Sequence, residues 1–255
     1  GHVWEELIIM LKKEIQLVML SATIDKAKEF SSWIGKIKDK PTRLIFTDHR
    51  PIPLKHYIYY ENKKYLILDE KKNFNHDNFT KIDKEYSKIR YNYKTQLNPF
   101  LKYLKEEDLF PALFFVFSKK NCKNYAKIIM ENLIDHETRS KIENIFEKYM
   151  NGIFKEFKYL PIVTEIKPLL LKGIGVHHAG LPPALKEIQE ILFEEGLIKV
   201  LFATETFKVG VNMPTRTVIF TEFYKYDGYI NNMRILKPNE YTQMSGRSGR
   251  RGIDN

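Results

Sequence analysis

Residues 243–252 read QMSGRSGRRG, and their spacing is the most informative feature of the chain. On a helix that turns about 100° per residue, Gln243, Arg247 and Arg250 fall within one narrow arc. We expect this helix to begin at Pro238, because proline is favoured in a first helical turn. Two arginine forks presented side by side suit a polyphosphate. The alternative is a solvated basic tail, but the repeated Gly-Arg unit favours a binding site.

The same stretch resembles motif VI, the Q-x-x-G-R-x-G-R element of superfamily two helicases. Its fuller form, Q-M-S-G-R-S-G-R-R-G-I-D, is similar to that of the exosome-associated and superkiller-type DExH-box RNA helicases. The resemblance implies that Arg247 and Arg250 are arginine fingers, with Gln243 as a third catalytic residue beside them. They would act on an ATP that is bound mainly by another lobe of the protein.

The composition indicates a folded protein with a polyanionic partner. Of the 255 residues 43% are hydrophobic, and 42 Lys and Arg against 32 Asp and Glu give a net charge of +10.

The sequence contains a single cysteine, Cys122, which excludes an internal disulfide and a multi-cysteine metal site. This predicts an intracellular, reducing compartment but does not distinguish the nucleus from the cytoplasm. No apolar run approaches the ~20 residues of a membrane span, so we expect no membrane partner. Since the chain opens on Gly1 within a pattern typical of a buried helix, we expect a fragment of a longer protein.

Residues 1–50 have the pattern of an incomplete α/β domain. The apolar spacing predicts a helix over residues 3–13 and a strand buried on both faces over 15–20. A second helix is expected over 25–35, where glycine is a stop signal, and one more strand at 44–46.

The strand expected at 15–20 ends in Ser21-Ala22-Thr23. This tripeptide is common at strand-to-helix turns, which is one interpretation of it. With the helix before it, however, the sequence V-W-E-E-L-I-I-M-L followed by Q-L-V-M-L-S-A-T-I resembles motif III of the same helicases. The resemblance implies that Ser21 and Thr23 couple the nucleotide site to the cleft between two lobes.

The sequence Arg50-Pro51-Ile52-Pro53 is the predicted domain boundary, because two prolines in three residues make a stiff, extended crossing. We therefore divide the chain into residues 1–50, the end of a first lobe, and residues 51–255, a second lobe. A strand is expected at 54–60. Residues 61–108 are rich in Lys, Asn, Asp and Tyr with weak helical periodicity, and they resemble the insertion that the family carries before its next strand.

Two apolar runs of the second lobe end in polar loops. Residues 112–118 predict a buried strand that ends at Ser118 before a helix, and they resemble motif IV. The sequence V-H-H-A-G-L at 176–181 predicts a strand that leads into a glycine turn. Its adjacent histidines do not indicate zinc, because neighbours in a strand point to opposite faces and no third ligand lies near. In the family this loop touches the nucleic-acid backbone, and the resemblance implies RNA contacts from Ser118, His178, Ala179 and Gly180.

A third apolar strand, at residues 198–203, is followed by Thr204 and a second turn. In an open α/β sheet, the carboxyl ends of the strands form the edge at which ligands bind. The sequence F-A-T-E-T-F-K-V-G-V-N-M-P resembles motif V of the exosome-type helicases. The resemblance implies that Thr204 contacts an RNA phosphate and that Gly210 and Asn212 face the nucleotide. Another strand is expected at 218–220.

Four ordered motifs, III to VI, predict an α/β fold. We expect a RecA-like parallel sheet with helices on both faces, preceded by the carboxyl-terminal end of a first RecA-like lobe. No G-x-x-x-x-G-K-[ST] loop and no D-E-x-H box occurs in the sequence. The resemblance therefore implies that ATP is held mainly, and Mg²⁺ entirely, by an upstream lobe, and that the chain is inactive by itself.

The resemblance implies an ATP-dependent RNA helicase, an ATP hydrolase that unwinds RNA or moves along a single strand from 3′ to 5′ without sequence preference. An exosome-type complex is the expected partner. Two alternatives stay open. The chain could be a non-catalytic RecA-like module that binds RNA or a protein partner. It could also belong to a DNA-repair helicase, although the M-P-x-R-T-V and E-T-F sequences are closer to the RNA group.

Overall fold

The computed structural model describes residues 2–21, 24, 26–47, 50–86, 92–204, 215–250 and 252–254. The chain forms two compact units. The first contains residues 1–50 and 237–243, and the second contains residues 51–236 and 244–255. No helix in the described ranges has both the length and the apolar character that a membrane crossing requires.

The amino-terminal part of the first unit contains two helices, α1 (His2–Met10) and α2 (Ala27–Lys38). Both predicted helices are confirmed, although α2 continues past Gly35 and is capped by Asp39, which has a φ of 53°. The predicted strands at 15–20 and 44–46 are wrong, because both segments have irregular backbone.

These two apolar runs are largely exposed, with Leu20 at 94% and Ile45 at 93% of their full accessibility. A β-strand is held by hydrogen bonds to a neighbouring strand, and the described residues of this unit supply no such neighbour. An apolar run alone is therefore not sufficient to form a strand here.

The second unit opens with a hairpin and two helices: β1 (His56–Tyr60), β2 (Lys63–Leu68), α3 (His76–Tyr86) and α4 (Tyr93–Glu106). The strand predicted at 54–60 is confirmed by β1. In α4, Leu97, Leu101 and Leu104 repeat at helical spacing and are buried in the main core. The last part of the segment at 61–108 therefore belongs to the core of this unit.

A four-stranded parallel sheet forms the centre of the second unit. Its strands are β3 (Ala112–Phe115), β4 (Ile174–His177), β5 (Val200–Ala203) and β6 (Thr217–Phe220), and they lie in the order β4-β5-β3-β6. All three neighbouring pairs are parallel. The strands predicted in this lobe are therefore confirmed, with small differences at their ends.

Three helices pack against the strands, namely α5 (Lys119–Ile128), α7 (Pro161–Leu170) and α8 (Pro183–Glu194), and α6 (His136–Asn151) packs against α8. Successive residues of a strand point to opposite faces. Every residue of β3, β4 and β5 is buried, which requires cover on both faces. The predicted α/β, RecA-like fold is confirmed.

The outer strand β4 is completed by a side chain of α8. Gln189 is fully buried, where its Oε1 accepts a hydrogen bond from the Val176 N–H at 2.7 Å and its Nε2 donates to the Leu185 carbonyl at 2.9 Å. Gly175 leaves room for this contact, because a Cβ there would lie 3.3 Å from Gln189 Oε1 and 2.5 Å from Leu201 Cδ1. A backbone donor at the sheet edge is thus satisfied inside the core.

A second hairpin follows β6 and is not among the predicted elements. Its strands, β7 (Tyr224–Asp227) and β8 (Asn232–Ile235), are antiparallel, and Arg234 Nε lies 2.5 Å from Asp227 Oδ2. Gly228 lies in the short connection, residues 228–231, between two runs that contain Tyr and Ile, and a connection of this length with glycine is a signal from which the hairpin is predictable.

Candidate functional site

The predicted RNA-contacting residues lie at one edge of the sheet. Because β3, β4 and β5 are parallel neighbours, they end together, with Phe115 and His177 both paired with Ala203. Thr204 follows β5, and its N–H donates to the His177 carbonyl at 3.3 Å. Ser118 follows β3 and His178 follows β4, so all three strand ends carry polar residues along this carboxyl edge.

The loop after β4 is a compact turn built around His178. The N–H of Gly180 donates to His178 Nδ1 at 3.1 Å, and the N–H of Leu181 donates to the His178 carbonyl, also at 3.1 Å. Leu181 is buried, whereas Ala179 and Gly180 are exposed. A Cβ on Gly180 would lie 3.2 Å from His178 Nδ1 and 3.5 Å from Lys119 Cδ, so glycine relieves a tight contact with His178, whereas the distance to Lys119 is an ordinary van der Waals contact.

His178 lies in a positive electrostatic environment. Burial lowers the pKa of His178, and the charge of the nearby Lys119 lowers it further. The neutral imidazole that results accepts a hydrogen bond at Nδ1, which leaves the proton on Nε2. His178 can therefore donate from Nε2 to an anion beside the exposed Lys119.

The adjacent His177 has a different partner. Its Nε2 lies 2.8 Å from Glu190 Oε1, and burial lowers the pKa of His177 although Glu190 opposes that change. The imidazoles of His177 and His178 therefore make hydrogen bonds to different partners. No cluster of three His, Cys, Asp or Glu in the described ranges is arranged to hold a metal ion. Burial raises the pKa of Cys122 to about 12, so its thiol stays protonated.

Ser118 has a structural role as well as its place at this edge. Its Oγ accepts a hydrogen bond from the Asn121 N–H at 3.3 Å and caps α5. The hydroxyl still has a proton to donate. The predicted RNA contact of Ser118 stays a prediction.

The prediction that a helix presents the arginines of residues 243–252 on one face is wrong. Helix α9 (Pro238–Ser245) begins at the predicted proline but ends before Arg247. The N–H of Arg247 donates to the Met244 carbonyl in a turn. Arg250 follows Gly249, which has a positive φ of 93°. Gln243, Arg247 and Arg250 therefore do not share one helix face.

The helix ends there because the chain turns away to pair with residues just before β6. Ser248 forms a parallel bridge with Thr215, and the Gly249 N–H donates to the Thr215 carbonyl at 2.9 Å. A Cβ at Gly249 would lie 2.7 Å from Ile52 Cγ2. Both the backbone conformation and the lack of space require glycine at this position.

Arg250 is held by a carboxylate four residues further on. Its Nη2 lies 2.6 Å from Asp254 Oδ1, its Nε lies 3.1 Å from both carboxylate oxygens, and its backbone N–H donates to Oδ2 at 2.8 Å. Burial would raise the pKa of Asp254, but the hydrogen bonds from Arg250 outweigh it and lower that pKa. The same contact raises the pKa of Arg250, so both groups are charged.

The remaining predicted residues divide into two groups. Gly210, Asn212 and Thr23 lie outside the described residues. Ser21 is exposed in the irregular part of the first unit, and Gln243 is exposed in α9. The roles predicted for these five residues stay predictions.

Sequence reasoning missed three side chains of these sites: Lys119, Glu190 and Asp254. The Arg-x-x-x-Asp spacing of Arg250 and Asp254 is a charge-pair signal that was available in the sequence. Lys119 directly follows the capping serine of α5. The partnership of His177 with Glu190 is visible only once β4 and α8 are packed together.

Thr215, which pairs with Ser248, has an unusual environment. It is fully buried, and its Oγ1 has no hydrogen-bond partner within the described part of the chain. A buried hydroxyl without a partner lowers stability, because it has lost its hydrogen bonds to water.

We expect Thr215→Val to raise the free energy of unfolding by about 1 kcal/mol, because a methyl group replaces the unpaired hydroxyl. The measurement is urea denaturation of the 255-residue chain followed by circular dichroism. Thr221→Val is the matched control, since Thr221 Oγ1 donates to the Phe115 carbonyl at 2.9 Å and its loss should be destabilising. Equal destabilisation by the two substitutions would contradict the prediction.

The parallel sheet with its covering helices is the fold of a helicase lobe. The family model of the helicase conserved C-terminal domain matches residues 95–252, and this chain belongs to that family.

Similar proteins show to which helicases the chain is related. The chain is 44% identical over its whole length to DExH-box ATP-dependent RNA helicase DExH9 of Arabidopsis thaliana and covers 28% of that protein. It is 42% identical over its whole length to the human exosome RNA helicase MTR4, of which it covers 26%. It is 36% identical over its whole length to the antiviral helicase SKI2 of Saccharomyces cerevisiae, of which it covers 25%. The resemblance to exosome-associated and superkiller-type helicases is therefore confirmed, and the chain spans about a quarter of the length of these relatives.

Proposed function

We propose that this chain is the part of a longer ATP-dependent RNA helicase that carries motifs III to VI. The observation that carries the proposal is that Ser118, His178 and Thr204 follow three adjacent parallel strands, at the carboxyl edge of the sheet. The family match and the names of the relatives, which are RNA helicases, support it.

The groups at this edge suit the backbone of RNA rather than its bases. A neutral imidazole N–H, the exposed backbone at Ala179, two hydroxyls and the exposed Lys119 are donors for phosphate oxygens. Contacts of this kind carry no sequence information. A helicase that moves along any strand requires such contacts, and we propose movement from 3′ to 5′ on single-stranded RNA.

The arginines after α9 suit a polyphosphate. Arg250 is charged and held in one orientation by Asp254, and a charged, oriented guanidinium stabilises the negative charge that develops during phosphoryl transfer. A bound ATP would supply the phosphoryl group, and Mg²⁺ would neutralise its oxygens. The phosphate loop that would bind ATP and the carboxylates that would bind Mg²⁺ are missing from this sequence and would come from another part of the protein.

By analogy with the exosome RNA helicase among the relatives, we propose an exosome-type complex as the partner.

We expect the 255-residue chain to bind labelled single-stranded RNA weakly, equally for uridine-rich and mixed sequences, and less tightly as salt rises. The logarithm of the association constant should fall with the logarithm of salt concentration by about 0.7 for each phosphate contact. Fluorescence anisotropy at increasing potassium chloride measures this slope.

Two substitutions test the proposed edge. His178→Ala should weaken binding to all sequences alike, and Lys119→Ala should make the salt slope shallower by about 0.7. Lys148→Ala, at an exposed lysine of α6, is the matched control and should change neither value. Affinity that does not depend on salt, or that strongly favours one sequence, would contradict the proposal.

A further inference from the structure

The contact between Arg250 and Asp254 has more geometric definition than a surface ion pair. The Asp254 carboxylate accepts from Nε, from Nη2 and from the Arg250 backbone N–H, at distances of 2.6 to 3.1 Å. The two side chains are 18% and 8% exposed. A guanidinium bound along one side edge to a buried carboxylate has little freedom to rotate.

A second arginine lies beside the carboxylate. Arg216 Nε lies 3.7 Å from Asp254 Oδ1, and the Arg216 guanidinium also pairs with Asp108. The backbone around Arg216 is joined to the segment after α9, because Ser248 Oγ donates to the Arg216 carbonyl at 2.8 Å. Asp254 therefore has a second positive charge beside it, on the side of β6.

The pairing leaves one end of the Arg250 fork available. Within the described residues, the hydrogen bonds of this guanidinium use Nε and Nη2. Nη1, on the other side of the planar group, keeps both of its N–H donors for a further anion. A side chain already restrained in this way loses less conformational freedom when it binds that anion.

We propose that Asp254 is a positioning residue, which orients Arg250 so that Nη1 binds the polyphosphate of a nucleotide. This inference rests on the proposed function. It assigns to Asp254 a role in turnover that acts entirely through Arg250.

The test uses the full-length protein that contains this chain, in steady-state ATP hydrolysis at saturating RNA. Asp254→Asn keeps the size of the side chain but removes its charge. We expect kcat to fall by about tenfold or more with a small change in KM for ATP, since a misplacement of about 1 Å can cost about 10²-fold. Asp254→Glu, which keeps the carboxylate, should recover part of the loss, and it is also the second variant if Asp254→Asn proves unstable in a thermal melt.

A double-mutant cycle separates positioning from simple stabilisation. In an Arg250→Ala background, Asp254→Asn should cause no further loss of kcat, because the residue through which it acts is absent. Glu137→Gln is the matched control: it removes the exposed pair of Glu137 with Lys141, 2.7 Å apart on α6, and should leave kcat unchanged.

Three outcomes overturn the proposal. The first is a lower melting temperature for Asp254→Asn with wild-type kcat, because this result would show that Asp254 has a structural role only. The second is an additional loss of kcat from Asp254→Asn in the Arg250→Ala background. The third is wild-type turnover by Arg250→Ala itself, which overturns the proposed role of Arg250 along with that of Asp254, whereas the first two leave the proposed function intact.

Discussion

Replacing Arg250 with alanine in the full-length protein is expected to reduce ATP turnover by orders of magnitude while RNA affinity stays close to wild type. The guanidinium is held by Asp254 and carries a full charge. Arginine fingers in GTPases contribute about 10³–10⁵ in turnover, and we expect a loss in the same direction. RNA binding should persist because the edge proposed to contact RNA belongs to other residues, at the ends of β3, β4 and β5.

Arg250→Lys should restore little of this activity. Lysine has neither the Nε donor that meets Asp254 nor a planar fork, and its point charge is not held in one direction. The matched control is Arg139→Ala, at an exposed arginine of α6, which should behave as wild type. The measurement is steady-state ATP hydrolysis beside RNA affinity for the three variants. Wild-type turnover by Arg250→Ala would contradict the assignment, and so would a loss of RNA affinity that parallels the loss of turnover.

The second large effect concerns the 255-residue chain alone, which should not hydrolyse ATP in the presence of Mg²⁺ and RNA. Its sequence lacks the G-x-x-x-x-G-K-[ST] loop that cradles the β- and γ-phosphates and the D-E-x-H box that holds the metal ion. An arginine finger has no substrate to act on without those groups. Phosphate release should therefore equal that of a buffer blank, with the full-length protein as the positive control.

The Arg250→Ala form of the same chain makes this test specific. Any contaminating ATPase would be unaffected by the substitution. Turnover above the blank that disappears in Arg250→Ala would contradict the prediction, because it would show that the chain contains a complete hydrolytic site.

The central sheet was predictable because its strands are short apolar runs that end in polar residues. Segments such as 112–118 and 198–203 have this pattern, and they form β3 and β5 with every strand residue buried. The same pattern at 15–20 and 44–46 produced no strand, since a strand depends on a partner that lies elsewhere in the chain. The local sequence carries the tendency to form a strand but not the identity of its neighbour.

The sites were predictable to different degrees. Ser118, His178 and Thr204 lie at strand ends, and the parallel order of the strands is enough to bring them to one edge. The arrangement of Arg247 and Arg250 was predicted wrongly from helical spacing. A backbone bridge from Ser248 to Thr215, 33 residues earlier in the chain, ends the helix, and such a contact has no local signal in the sequence.

The most direct test of the proposed function is strand displacement by the full-length protein. The substrate is an RNA duplex with a single-stranded 3′ overhang, and the controls are a 5′ overhang and the omission of ATP. We predict displacement that requires ATP and the 3′ overhang, that disappears in Arg250→Ala, and that persists in Arg139→Ala. Displacement that proceeds equally without ATP, or full displacement by Arg250→Ala, would contradict the proposal that this chain is the motif III to VI part of an ATP-dependent RNA helicase.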